Sequence, residues 1–103
     1  MQFLVNIDVE MPAATPQDVK DDLRTRENAR AMELIKAGKM RRIWRSVGTT
    51  ANFGIWEADT LEELHANIMS LPMFPYFKVR VTALTEHPAT AAWTKANGAM
   101  PPF

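Results

Sequence analysis

The sequence predicts an α+β domain of order βαββαβ, an antiparallel sheet with two helices on one face. Three observations predict it. The N-terminal segment alternates strictly, with Phe3, Val5, Ile7 and Val9 set against Leu4, Asn6, Asp8 and Glu10, the period of a strand. A helix-length stretch between Pro16 and Gly38 carries apolar residues at helical spacing. From Ala51 to Leu84 the pattern repeats as strand, capped helix and strand.

The elements follow in order. Pro12 and Pro16 end the first strand, because neither can donate a ladder hydrogen bond. The first helix is predicted over about 17–37. Thr15 and Pro16 read as N-cap and first-position pair, Asp18 and Lys36 suit the helix dipole, and Gly38 supplies the stop. A second strand covers about 40–47, and Gly48-Thr49-Thr50 turns the chain into a third, about 51–57. Thr60-Leu61-Glu62-Glu63 is a capping box opening the second helix, with Leu61, Leu64, Ile68 and Leu71 as its buried stripe. Leu71-Pro72-Met73-Phe74-Pro75 makes a stiff extended connection, since each proline fixes its own φ and restricts the residue before it. A last strand runs over about 76–84. This is the ferredoxin-like arrangement, expected over 1–86. The tail, 87–103, has no clear period. Its Trp93, Met100 and Phe103 imply packing on its own domain or on a neighbouring subunit.

Composition bounds the function. The chain has 103 residues, 47% hydrophobic, with zero formal net charge, enough for one domain with a core. No basic excess marks a nucleic-acid footprint. No apolar stretch approaches membrane-spanning length. With no cysteine there is no disulfide framework and no thiolate ligand or nucleophile, which fits a reducing, cytoplasmic setting. His65 and His87 are too far apart for metal-ligand spacing, so no metal site is expected. His65 reads as a packing residue flanking the second helix, and His87 as a residue orienting the tail.

The first helix holds the strongest chemical clue. Val19, Leu23, Ala31 and Leu34 mark its inward stripe, and Glu27 falls in the middle of it. A buried carboxylate is costly unless paired or protonated. Glu27 is therefore either a general base facing a pocket or half of an internal ion pair, for instance with Arg30. Arg41 and Arg45 of the second strand should point toward the same helix, as carboxylate partners or as an anion site. The other sheet face should carry Leu4, Trp44, Trp56 and Tyr76 among Asn6, Arg42 and Lys78, an apolar patch that predicts sheet-to-sheet packing in an oligomer.

Taken together, the chain resembles the muconolactone Δ-isomerase family. The resemblance rests on Glu27, on Arg41-Arg42-Ile43-Trp44-Arg45-Ser46-Val47-Gly48, on Ala51-Asn52, on Leu64-His65, on Leu71-Pro72-Met73-Phe74-Pro75-Tyr76 and on His87-Pro88, and it covers about 1–90. It implies a small, cofactor-free, homo-oligomeric isomerase, typically a decamer, acting in aromatic catabolism on the β-ketoadipate pathway. The implied substrate is a small lactone carboxylate, muconolactone, converted to 3-oxoadipate enol-lactone by moving a ring double bond. Glu27 would be the proton-transferring base. Arg24, where the family commonly has Lys, would bind carboxylate or polarise the lactone carbonyl. Arg41 and Arg45 would hold substrate or fold, and Phe74 and Tyr76 would wall the pocket. The family commonly has His or Arg and then Tyr where this chain has Thr49 and Thr50. These short hydroxyls open the pocket, change the second proton transfer, or remove the standard activity. Alternatives are therefore reaction on a substituted lactone, such as dehalogenation after the same proton abstraction, and non-catalytic binding of an aromatic acid by an oligomer.

Overall fold

The computed structural model describes residues 1–101. Its elements are β1 (Gln2–Val9), α1 (Gln17–Lys36), β2 (Met40–Arg45), β3 (Asn52–Glu57), α2 (Leu61–Met69), a 3-10 turn (Phe74–Tyr76), β4 (Phe77–Leu84) and α3 (Pro88–Asn97). The sheet order is β2-β3-β1-β4, and every neighbouring pair is antiparallel. This is the expected ferredoxin-like fold.

The core lies between the sheet and the helices. Phe3, Val5 and Ile7 supply the inward face of β1, and Leu34, Leu64, Ile68 and Leu71 descend on it from the helical layer. Burying each such side chain is worth about 1.5–3 kcal/mol. The second helix starts as its sequence says: Thr60 Oγ1 accepts from the Glu63 N–H at 3.1 Å. Glu63 Oε2 in turn accepts from the Asp59 N–H at 2.9 Å, and Lys39 reaches the other oxygen of Glu63 at 2.6 Å.

Several expectations are corrected. Thr15 does not cap α1; the N-cap is Pro16, which has no side-chain cap bond. Val19 and Leu61 are 42% and 64% exposed, so each apolar stripe is shorter than the spacing implies. Trp56 is not on the outer sheet face. It is fully buried, because β3 turns Gly54 and Trp56 inward, with Ala58 buried just beyond the strand. Gly54 makes room for it: a Cβ there would lie 2.9 Å from Trp56 Nε1 and 3.2 Å from the Arg42 carbonyl oxygen. A bulge between Met40 and Arg42 completes the change, pairing Met40 with Trp56 and taking Met40 into the core. The outer face holds Leu4 paired with Ile55, and Trp44 paired with Phe53, with Arg42 and Lys78 beside them. Tyr76 ends the 3-10 turn rather than starting β4.

The tail is not structureless through its length. Pro88 occupies the first turn of α3, and His87 Nδ1 accepts from the Ala89 N–H at 3.0 Å as its N-cap. His87 thus orients the tail. No residue of α3 is buried. The radius of gyration, 16.1 Å, exceeds the roughly 13 Å of a compact chain this long, because α3 stands away from the sandwich. Phe103 lies outside the described residues.

Candidate active site

Glu27 sits on the inward side of α1, four residues after Leu23 and seven before Leu34, both of which are buried. Its side chain is partly buried. Oε1 accepts a hydrogen bond from the Met73 N–H at 3.0 Å. Burial pushes its carboxyl above the usual range, and the Met73 bond pulls back only part of that shift. The internal ion pair with Arg30 is not formed: Arg30 donates to Ser70 Oγ and to Glu33.

Glu27 faces a cleft of about 900 Å³ between α1 and the β2–β3 end of the sheet. Leu71 and Met73 close one side, and Ile43, Trp44 and Arg45 form another. Met11, Met32, Met40 and Met73 put four thioethers into its wall, a flexible and polarisable surface. Among the described residues lining it, Glu27 is the one acidic group, and no His, Lys or Tyr is present.

The predicted residues separate into two groups. Arg24, Glu27, Arg45, Thr49 and Thr50 all line the cleft. Arg24 precedes Glu27 by one helical turn and shares its face, and its guanidinium has no partner among the described residues. Arg45 is occupied, donating to the Thr50 carbonyl and so bracing the β2–β3 turn. Thr49 closes that turn. Its hydroxyl donates to the Ser46 carbonyl at 3.1 Å and accepts from the Ala51 N–H at 3.0 Å.

Arg41, Phe74 and Tyr76 do not line the cleft. Arg41 falls at the bulge and is exposed. Phe74 packs edge-on against Phe77, 6.2 Å between ring centres, and lines a second groove beneath α2. Tyr76 holds β1 by its backbone, its carbonyl accepting from the Glu10 N–H at 2.9 Å. The proline segment serves the site through Leu71 and the Met73 amide instead.

Sequence reasoning missed Asn28, Met32 and Ile35 of α1, and Asn52 of β3. The α1 residues carry a legible signal, since Asn28 lies four residues after Arg24 and Ile35 eight after Glu27. Asn52 Oδ1 is buried without a partner among the described residues.

The fold is that of a small ferredoxin-like α+β domain, with one partly buried carboxylate and, among the described residues, one unpartnered guanidinium on a single helix face. The family model for muconolactone delta-isomerase matches residues 1–90. The chain is 40% identical over 90 residues to the Muconolactone Delta-isomerase of Cupriavidus pinatubonensis, covering 87% of this chain and 98% of that one. It is 39% identical over 90 residues to the enzyme of the same name from Acinetobacter baylyi, covering 87% and 94%. A crystal structure of muconolactone isomerase superposes with a TM-score of 0.82 at 32% identity, covering 86% of this chain and 93% of that one. The chain belongs to the muconolactone delta-isomerase family.

Proposed function

We propose that this protein is a cytoplasmic isomerase that moves the ring double bond of muconolactone, or of a closely related unsaturated lactone acid, by cofactor-free proton transfer. The observation that carries this reading is Glu27: a carboxylate kept partly out of water, with raised proton affinity, facing a cleft that has no other acidic group among its described residues. A plain hydrophobic binder gains nothing from such a group.

The chemistry needs only one base. The ring C–H next to the double bond is acidified because its electron pair can spread through the alkene to the lactone carbonyl oxygen. Glu27 takes that proton, the C–H pair becomes a new C=C bond, and negative charge collects on the carbonyl oxygen. The Glu27 carboxylic acid then returns the proton to the carbon beside the carbonyl, which restores it. Atoms and electrons balance with no co-reactant. A carboxyl with a raised pKa suits both halves, since it is a stronger base than a free carboxylate and still a competent acid. Arg24 serves as the cation, holding the substrate carboxylate or the developing oxyanion.

Assembly is part of the same reading. The outer patch of Leu4, Ile55, Phe53 and Trp44 supports sheet-to-sheet packing in a homo-oligomer, a decamer by family likeness.

The cleft volume favours a second reading. About 900 Å³ is near the upper end for drug-sized ligands and generous for a six-carbon lactone acid, and Thr49 and Thr50 narrow its rim little. A lactone with a ring substituent would fit. Were that substituent a halide, the same proton abstraction would be followed by loss of halide instead of reprotonation.

The test is the ultraviolet time course of purified protein with (+)-muconolactone. Conversion to the isomeric enol-lactone supports the first reading. A folded oligomer that leaves muconolactone untouched but turns over a halogenated lactone moves the assignment to the second.

A further inference from the structure

As Glu27 removes the ring proton, negative charge collects on the lactone carbonyl oxygen. A fixed hydrogen-bond donor aimed at such an oxygen is usually a large part of catalysis. The cations of the cleft are poorly suited to that place. Arg45 is spent on the Thr50 carbonyl. Arg24 enters the cleft from an exposed position on α1. Burial and the Met73 N–H set the proton affinity of Glu27, with no guanidinium among the causes. A cation close to Glu27 would hold its pKa down and so weaken the base. A neutral donor would not.

One neutral side chain on the cleft wall fits. Asn52 opens β3, a strand inside the sheet. Its backbone is paired with Ile7 of β1 and Arg45 of β2, and its carbonyl accepts from Asn6 Nδ2 at 3.0 Å. It shares the inward face of β3 with the buried Gly54 and Trp56, so its side chain points toward the helical layer and lines the cleft. The amide is uncommitted. Oδ1 is buried without a partner among the described residues. Nδ2 makes no hydrogen bond among them either, and it is the end of the amide that is not buried. Asn28, Thr49 and Thr50, the other neutral polar residues of the wall, are exposed, and the Thr49 hydroxyl already donates to Ser46.

We infer that Asn52 Nδ2 donates to the lactone carbonyl oxygen, so that Asn52 carries the developing oxyanion and Arg24 is left to the substrate's carboxylate. The assignment rests on the isomerase reading and divides its two anionic groups between two residues. A strand paired on both sides holds the donor still, so no reorganisation is needed as charge appears. The role also accounts for an amide kept where a purely structural side chain would be better apolar, since a buried acceptor without a partner costs stability.

Asn52→Leu, close to the same shape, and Asn52→Ala test this in the full chain. Neither change removes a side-chain hydrogen bond of the folded protein among the described residues, so thermal stability should hold. On muconolactone, kcat should fall by about 10²–10³-fold, the usual effect of losing one oxyanion donor, with KM little changed. The second readout needs no turnover. The probe is the saturated analogue of muconolactone, isotope-labelled at its carbonyl carbon, which keeps lactone and carboxylate but has no double bond to move. Its infrared carbonyl band at saturation should lie lower in the wild type and in Arg24→Leu than in either Asn52 variant. A band that the Asn52 variants leave unmoved, a lowering that disappears in Arg24→Leu instead, or a raised KM with kcat intact would each overturn the assignment while wild-type turnover stands. A wild type that neither converts muconolactone nor binds the analogue would overturn the isomerase reading, and the assignment with it.

Discussion

The backbone N–H of Met73 holds Oε1 of Glu27 at 3.0 Å across 46 positions of sequence. This bond ties the middle of α1 to the proline segment after α2, and it fixes one carboxylate oxygen while leaving the other for chemistry. The donor is a main-chain group, so it needs no rotamer of its own.

Glu27→Gln separates the base from the scaffold. The amide oxygen can still accept from Met73, so the variant should fold and assemble as before. Turnover should fall by about 10²–10⁴-fold, the usual worth of a positioned general base. Steady-state kinetics on muconolactone check this, and wild-type turnover would remove Glu27 from the mechanism.

The pH dependence has a definite sign. Glu27 has a folded pKa above 4.5, its ordinary value, with desolvation as the main cause. The native state therefore holds this proton more tightly than the unfolded chain does. The group's contribution to stability is greatest below 4.5 and declines as pH rises through the folded value. The base form needed for turnover appears only above that value. Thus kcat/KM should be lost on acidification with a midpoint above 4.5, and the Glu27→Gln protein should lack the matching slope in its unfolding free energy. A midpoint at or below the ordinary value would contradict the role of desolvation.

Arg24→Leu tests the anion anchor. With no partner to disrupt among the described residues, the change should leave thermal stability nearly unaltered. It should lower kcat/KM for the lactone acid by roughly tenfold or more, the equivalent of about 1.4 kcal/mol or more. Turnover of the neutral methyl ester should change far less if Arg24 holds the carboxylate. An equal loss on both would assign Arg24 to the developing oxyanion.

Gly54→Ala should destabilise the fold by about 1–3 kcal/mol, as overpacking does. The new methyl meets the Trp56 ring and the Arg42 carbonyl, and backbone cannot yield as a flexible side chain would. A lowered urea midpoint with an unchanged slope is the expected record.

Phe53→Arg addresses the outer sheet face. Phe53 is 40% exposed, so a folded chain can accept the change, while burial of the new charge in an interface should break assembly. Light scattering should show a lower mass. An unaltered mass from a folded variant would move the interface elsewhere.

The topology was legible because the strands and α2 speak plainly: β1 alternates, α2 has its cap, and the order of elements admits few foldings. Glu27 was legible for the same reason, as a charge on an otherwise apolar line. The inward face of β3 was not. Phe53 and Ile55 alternate as well as Gly54 and Trp56 do, and it is the register with β1, setting Phe3 against Trp56 and Val5 against Gly54, that matches the inward face, a long-range pairing that no local pattern carries. The proline segment misled in a similar way. Its aromatics drew attention as a pocket wall, whereas its contribution to the cleft is Leu71, the Met73 side chain and an amide hydrogen, the last a group every residue but proline possesses. The Arg45 brace and the Thr49 turn were hidden because arginine and threonine read the same whether they hold substrate or backbone.

The three tryptophans occupy three different settings, and that makes the protein its own optical reporter. Trp56 has no exposed surface and no acceptor for its indole N–H among the described residues, so its emission should be blue and should redden only on global unfolding. Trp44, paired with Phe53 on the outer sheet face and 43% exposed, should respond to whatever packs on that face. Trp93 projects from α3, 47% exposed, and should respond to whatever that helix meets. Retaining one tryptophan at a time would turn a single fluorimeter into separate readings of folding, of the outer sheet face and of the tail.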